Sequence, residues 1–131
     1  MKRLIIVLCL VLVAMSIYSV PPTPRVVGQA WYHNQTSDVQ PYILFTTDHA
    51  GFFRFTSMMR LYDPEGPGAY VAAAISVFSG LLNSTTDADP MCNLFATYLE
   101  DNTAVSMWAN ASDYDLFSSY DLFVIVEEFK E

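Results

Sequence analysis

Two histidines, two cysteines and several paired carboxylates are the side chains of this sequence best suited to chemistry. His33 and His49 stand far from Cys92 in sequence, and neither has a second ligand at the short spacing that holds zinc. Asp48 and His49 are adjacent and can form an Asp/His pair. They sit in the turn signal Asp48-His49-Ala50-Gly51, where Asp is common for structural reasons. A hydrolase built on His33 or His49 needs a Ser, Cys or carboxylate within hydrogen-bond reach in a cleft. No Gly-x-Ser-x-Gly elbow supplies a nucleophile. Carboxylates cluster at Asp87/Asp89, Asp113/Asp115 and Glu127/Glu128. A calcium loop needs more oxygen ligands on one segment than Asp87-x-Asp89 gives, and the EF-hand glycine and distal Glu are missing. No phosphate loop or dinucleotide fingerprint occurs. The residues thus assign no catalytic site, no cofactor and no metal.

The cysteines speak to compartment. Cys9 lies in an apolar N-terminal run, so removal of that run leaves Cys92 alone. A single cysteine in a secreted chain is either a buried, inert thiol or an intermolecular disulfide that makes a homodimer. A reactive thiol needs a basic or imidazole neighbour, and the surrounding Asp87-Ala-Asp-Pro-Met-Cys92 is acidic.

Lys2 and Arg3, the apolar stretch from Leu4 and the small residues before Pro21-Pro22 follow the order of a secretory signal peptide. Residues 1–19 are read as that signal, with cleavage after Ser19. The apolar run is shorter than the roughly 20 residues a bilayer span needs. Three sequons lie in polar stretches, at Asn34-Gln-Thr36, Asn83-Ser-Thr85 and Asn110-Ala-Ser112. They predict N-glycans on Asn34, Asn83 and Asn110. Fourteen acids face six bases in the whole chain, and Lys2 and Arg3 leave with the signal. So acidic a surface repels nucleic acid and anionic lipid. The partner expected is an extracellular protein or surface, without stable membrane insertion after cleavage.

The elements that must position these residues read as strands. Residues 20–25 are a Pro-rich lead, and 26–131 form one domain. Val26–Tyr32 and Tyr42–Thr47 read as strands. In Phe52–Tyr62, Phe53, Phe55, Met59 and Leu61 share one parity while Arg54, Thr56 and Arg60 share the other. Period two marks a strand with one buried face; Ser57 and Met58 break the pattern. Ala69–Val77 alternates too and is read as the hairpin partner of Phe52–Tyr62, with a helix capped by Gly80 as the alternative for 69–80. Asn83–Asp89 reads as loop. Residues 90–99 fit either a short helix capped by Asp89 or a strand. Thr103–Ala109 is a strand. Ser112–Phe123 holds two copies of a six-residue unit, read as a lengthened strand or loop. Leu122–Phe129 is apolar on both parities and belongs in the centre of a sheet. Six to seven strands with frequent turns predict a mainly β fold, an antiparallel β-sandwich or small barrel.

Met59-Arg-Leu-Tyr-Asp63, Gly68-Ala-Tyr-Val71, Ser79-Gly80, Leu82-Asn-Ser-Thr85 and the closing Phe123-Val-Ile-Val-Glu127 resemble the multiprotein bridging factor two family of small secreted insect proteins. The resemblance implies a secreted all-β protein and transfers no catalytic residue. The coactivator role in the family's name conflicts with a signal peptide.

Three functions follow from these readings. The first is a secreted, acidic, non-enzymatic binding glycoprotein, which an exposed apolar patch would support. The second is a carrier whose aromatics line a closed cavity for a small apolar ligand. The third is the small hydrolase.

Overall fold

The alternation of Phe52–Tyr62 settles the first sheet. In the computed structural model, which describes residues 23–129 apart from 67, 78 and 79, Phe53, Phe55, Met59 and Leu61 are all buried. Ser57 does not break the parity: it is buried too, and its hydroxyl donates to the Leu82 carbonyl at 3.4 Å. The signal reading of residues 1–19, with Cys9, lies outside the described residues.

The strands are β1 (Arg25–Gln35), β2 (Val39–Thr46), β3 (Gly51–Tyr62), β4 (Val71–Ile75), β5 (Leu81–Thr85), β6 (Met91–Leu99), β7 (Ala104–Ala111) and β8 (Ser119–Phe129). They form two antiparallel four-stranded sheets of order β1-β8-β3-β6 and β2-β7-β4-β5. Most connections cross from one sheet to the other, which is the topology of an eight-stranded jelly-roll sandwich. The apolar last strand is central, as its composition predicts: β8 lies between β1 and β3. Leu122, Val124 and Val126 are fully buried between the sheets.

Aromatic rings fill the space between the layers. Phe45 from the second sheet lies 5.7 Å from Phe53 of the first, and Phe55 stacks on Phe95 at 5.0 Å. Gly28 lets β1 lie close to this layer, because a Cβ there would stand 3.1 Å from the Phe45 ring.

Three expectations are corrected. Val71–Ile75 does not pair with β3; it pairs with β5 and β7 in the opposite sheet. The turn after Tyr62, with Asp63 at φ 49°, carries the chain over the edge of the sandwich instead of reversing it. The supposed loop from Asn83 begins within strand β5, so the strands number eight. A register shift opposite Ala73 and Ala74 lets both Leu82 and Asn83 face inward, which hides the alternation. Residues 91–99 are a strand, and the first six-residue copy forms a 3-10 turn at Tyr114–Leu116 capped by the Asp113 carboxylate. The second copy opens β8.

Candidate functional site

Strand β8 alternates, so the neighbours Glu127 and Glu128 part company. Glu127 points outward and is bound by Arg54 at 2.7 Å. Glu128 points inward at the end of the sandwich and is fully buried. The β2–β3 turn and the start of β1 close over it. Arg25 Nε donates to Glu128 Oε2 at 3.0 Å, and its Nη2 reaches Asp48 Oδ2 at 3.3 Å. His49 Nδ1 lies 2.5 Å from Asp48 Oδ1, and His49 Nε2 contacts Glu128 Oε1. That oxygen accepts no hydrogen bond of good geometry, and the His49 ring nitrogen lies against it. The hydrogen bond from His49, then that from Arg25, holds the Asp48 carboxyl below its ordinary range.

Asp48, His49 and Glu128 offer ligand atoms within 4.8 Å of one another, a set a metal ion can use. Arg25 already occupies the outward oxygens of both carboxylates. An open groove of about 310 Å³ beside the cluster is lined by Arg25, Val27, Phe45, Thr47, Asp48 and Phe53. The sequence singled out Asp48-His49 but missed Glu128 as its buried partner. The period of β8 was the signal that could have found it.

The second histidine sits elsewhere. His33 Nδ1 lies 2.8 Å from Asp121 Oδ1. Asp121 also accepts from the Asn34 backbone at 3.0 Å, Arg60 Nε at 3.3 Å and the Tyr62 hydroxyl at 2.7 Å. This carboxylate ties β1, β3 and β8 together. Among the described residues, neither histidine hydrogen-bonds a hydroxyl or a thiol. The other carboxylate pairs serve turns: Asp87 Oδ1 accepts from the Asp89 backbone at 3.2 Å.

The sequons separate by exposure. Asn34 and Asn110 are exposed. Asn83 is 5% exposed, and its Nδ2 donates to the Met91 carbonyl at 3.0 Å and the Ser57 carbonyl at 3.4 Å. A glycan on that nitrogen has no room in this fold, so the expectation at Asn83 is withdrawn. The buried-thiol reading of Cys92 is also corrected, because Cys92 is exposed.

The largest departure from the expected surface is the outer face of the β1-β8-β3-β6 sheet. Its rows follow from the register. Trp31, Phe123, Met58 and Cys92 lie side by side, as do Gln29, Ile125, Thr56 and Leu94. Phe129, Phe52 and Tyr98 form a further row. Trp31 is 76% exposed, Leu94 61%, Phe52 57% and Tyr98 50%. Trp31 meets Phe123 edge-on at 5.7 Å, and Phe52 meets Tyr98 at 5.5 Å. Arg54 lies over the Phe129 ring. The cations of this face are neutralised within it, Arg54 by Glu127 and Arg60 by Asp121. The outer face of the other sheet is more mixed: Ala72, Ala74, Ser84, Ser106, Trp108 and Asn110 line it beside the exposed Ile43 and Leu81.

No protein-family model matches this chain, and no curated protein matches it in sequence. Solved structures share the fold. The vertex protein P5 of PRD1 superposes with a TM-score of 0.53 at 7% identity, over 82% of this chain and 99% of that one. The sugar-binding EclA C-terminal domain gives 0.43 at 4% identity, over 83% and 84%. The CBM22-1 xylan-binding domain of Paenibacillus barcinonensis Xyn10C gives 0.41 at 7%, over 83% and 82%. At such identities the likeness is one of fold: an antiparallel β-sandwich.

Proposed function

We propose that this chain is a secreted, non-enzymatic binding protein that engages an extracellular partner through the outer face of its β1-β8-β3-β6 sheet. The observation that carries the reading is the exposure of Trp31, Phe52, Leu94 and Tyr98, spread over three rows of one sheet face. A soluble chain keeps so large an apolar patch where something covers it. Of the exposed sequon asparagines, Asn110 lies on the opposite sheet, and Asn34 lies on β1 three residues beyond Trp31, at the border of this face. The carrier reading finds less support. The space between the sheets is filled by packed rings, and the grooves described at the surface are open.

The test replaces Trp31, Phe52 and Leu94 together by Ser. These side chains face solvent, so circular dichroism and thermal unfolding should remain those of a folded sandwich. Amide hydrogen exchange of the wild-type protein in its native extracellular fluid should show protection of 52–58 and 92–98 that the triple variant lacks. Identical exchange in the two proteins would sink the reading.

A further inference from the structure

We propose that the occupant of this face is a second copy of the same chain, held without a covalent bond, with β6 inside the contact. The inference rests on the reading just given and names its partner.

The first argument is the edge. Among the described residues, strand β6 ends its sheet and its ladder partner is β3. A sheet edge invites another chain unless charge, proline or a bulge blunts it. Met91-Cys-Asn-Leu-Phe-Ala-Thr-Tyr-Leu99 contains no charge and no proline. Its pairing with β3 runs from Gly51↔Leu99 to Met59↔Met91 without a break. Neither charge nor proline blunts the strand, although its start is tied to β5 through Asn83 and Asn93.

The second argument is continuity. The apolar rows that begin at Trp31 and Phe129 run into β6 at Cys92 and Tyr98, and the mixed row of Gln29, Ile125 and Thr56 between them ends on β6 at Leu94. Face and edge are one surface. Aromatic side chains bury about 150–250 Å² each when covered. Given their exposures, Trp31, Phe52, Leu94 and Tyr98 alone offer on the order of 500 Å². With the flanking Phe123, Ile125 and Met58, that approaches the roughly 800 Å² per partner of a stable interface.

The third argument is charge. Fourteen acids against six bases make two copies repel over most of their surfaces. On this face Arg54 and Arg60 are already paired with Glu127 and Asp121, so copies can approach here without opposing net charge. A basic foreign partner would be drawn instead to exposed acids such as Asp87, Asp89, Asp113 and Asp115. The chemistry of the patch fits its own kind.

Sedimentation velocity and light scattering on the full secreted chain, with reductant, test this. The wild type should run as a multiple of the monomer mass, and Cys92→Ser should do the same. Leu94→Lys with Trp31→Ser should fall to monomer with dissociation at least about 30-fold easier, as expected when interface anchors are lost. Cys92 should react slowly with maleimide in the assembly and fast in that monomeric variant. A wild type that stays monomeric at about 100 μM overturns the self-association. The hydrogen-exchange contrast above would then still report a foreign partner on the same face. An assembly that disappears on reduction overturns it in favour of a Cys92 disulfide. An assembly untouched by the substitutions places the contact elsewhere and overturns this interface.

Discussion

Asn83 should be worth more to this fold than any of its exposed neighbours, and replacing it by Asp should cost more than deleting its amide. Its Nδ2 serves the Met91 carbonyl at 3.0 Å and the Ser57 carbonyl at 3.4 Å, and its Oδ1 accepts from the Ser84 backbone at 2.8 Å. The side chain is 5% exposed, so water cannot take over. In Asn83→Ala the Met91 carbonyl loses a good donor, while the longer bond to Ser57 adds little. A buried group left without its partner costs about 1–3 kcal/mol, which puts Asn83→Ala near 2 kcal/mol. In Asn83→Asp the donor becomes a charged acceptor facing two carbonyl oxygens. The cost at neutral pH rises to about 3–4 kcal/mol, because burial and like-signed neighbours both oppose the ionised form. Protonation restores a donor toward Met91, so the Asp penalty should shrink as pH falls below about 6. Urea unfolding followed by tryptophan fluorescence measures this. With a slope of about 1–3 kcal/mol per molar for a small domain, the Asp midpoint should fall by about 1–4 M. An Asn83→Asp protein as stable as wild type at pH 7, or one whose deficit does not depend on pH, would refute the reasoning.

Peptide mapping of the folded chain expressed through a eukaryotic secretory pathway should find glycan on Asn34 and Asn110 and bare Asn83; an occupied Asn83 would contradict its burial. The Asp48 carboxyl is held below its ordinary value of 3.8 by His49 and then Arg25. Its contribution is therefore present above that value and lost as pH falls through the lower folded-state value. Wild type and Asp48→Asn should converge in thermal stability in strong acid, and parallel curves would contradict this. Tyr120 is buried and donates to the Ser37 carbonyl at 2.9 Å; burial, then the Asp38 charge, pushes its phenol up to about 12. Its stabilising effect holds below pH 10 and is lost as pH rises toward 12; burial raises Tyr42 and Tyr114 as well, so absorbance titration should show several late phenols in wild type and one fewer in Tyr120→Phe. Phe55→Ala should cost about 3–5 kcal/mol in urea unfolding, because the ring is fully buried and stacked on Phe95.

Period two made much of this sandwich legible. The β3 parity named its core face, and the doubly apolar Leu122–Phe129 named its central strand. Residues 91–99 were ambiguous for a reason of arithmetic. Leu94 and Tyr98 are four apart, a spacing that suits one helix face and also, being even, one strand face. An edge strand open to water has no apolar inner row to break the tie. The shift at β5 hid a strand because Leu82 and Asn83 share a face. Asp48 and His49 were visible as a pair, but Glu128 reaches them only through sheet closure across some 80 residues of chain. The outer apolar face was missed because Arg54 and Arg60 made its parity read as wet. Their acidic partners lie on β8, beyond the reach of any local pattern.

The strand order also sets a schedule for folding. Strands β1 and β3 do not pair with each other; each waits for β8, which is made after both. Until residues 119–129 are available, the first sheet consists of one pair, β3 with β6, and β1 has no partner in it. Pairings of such long range are slow to form. A chain emerging vectorially from a pore would remain open through most of its passage and close in one late step, like a clasp whose tongue is the last piece to arrive.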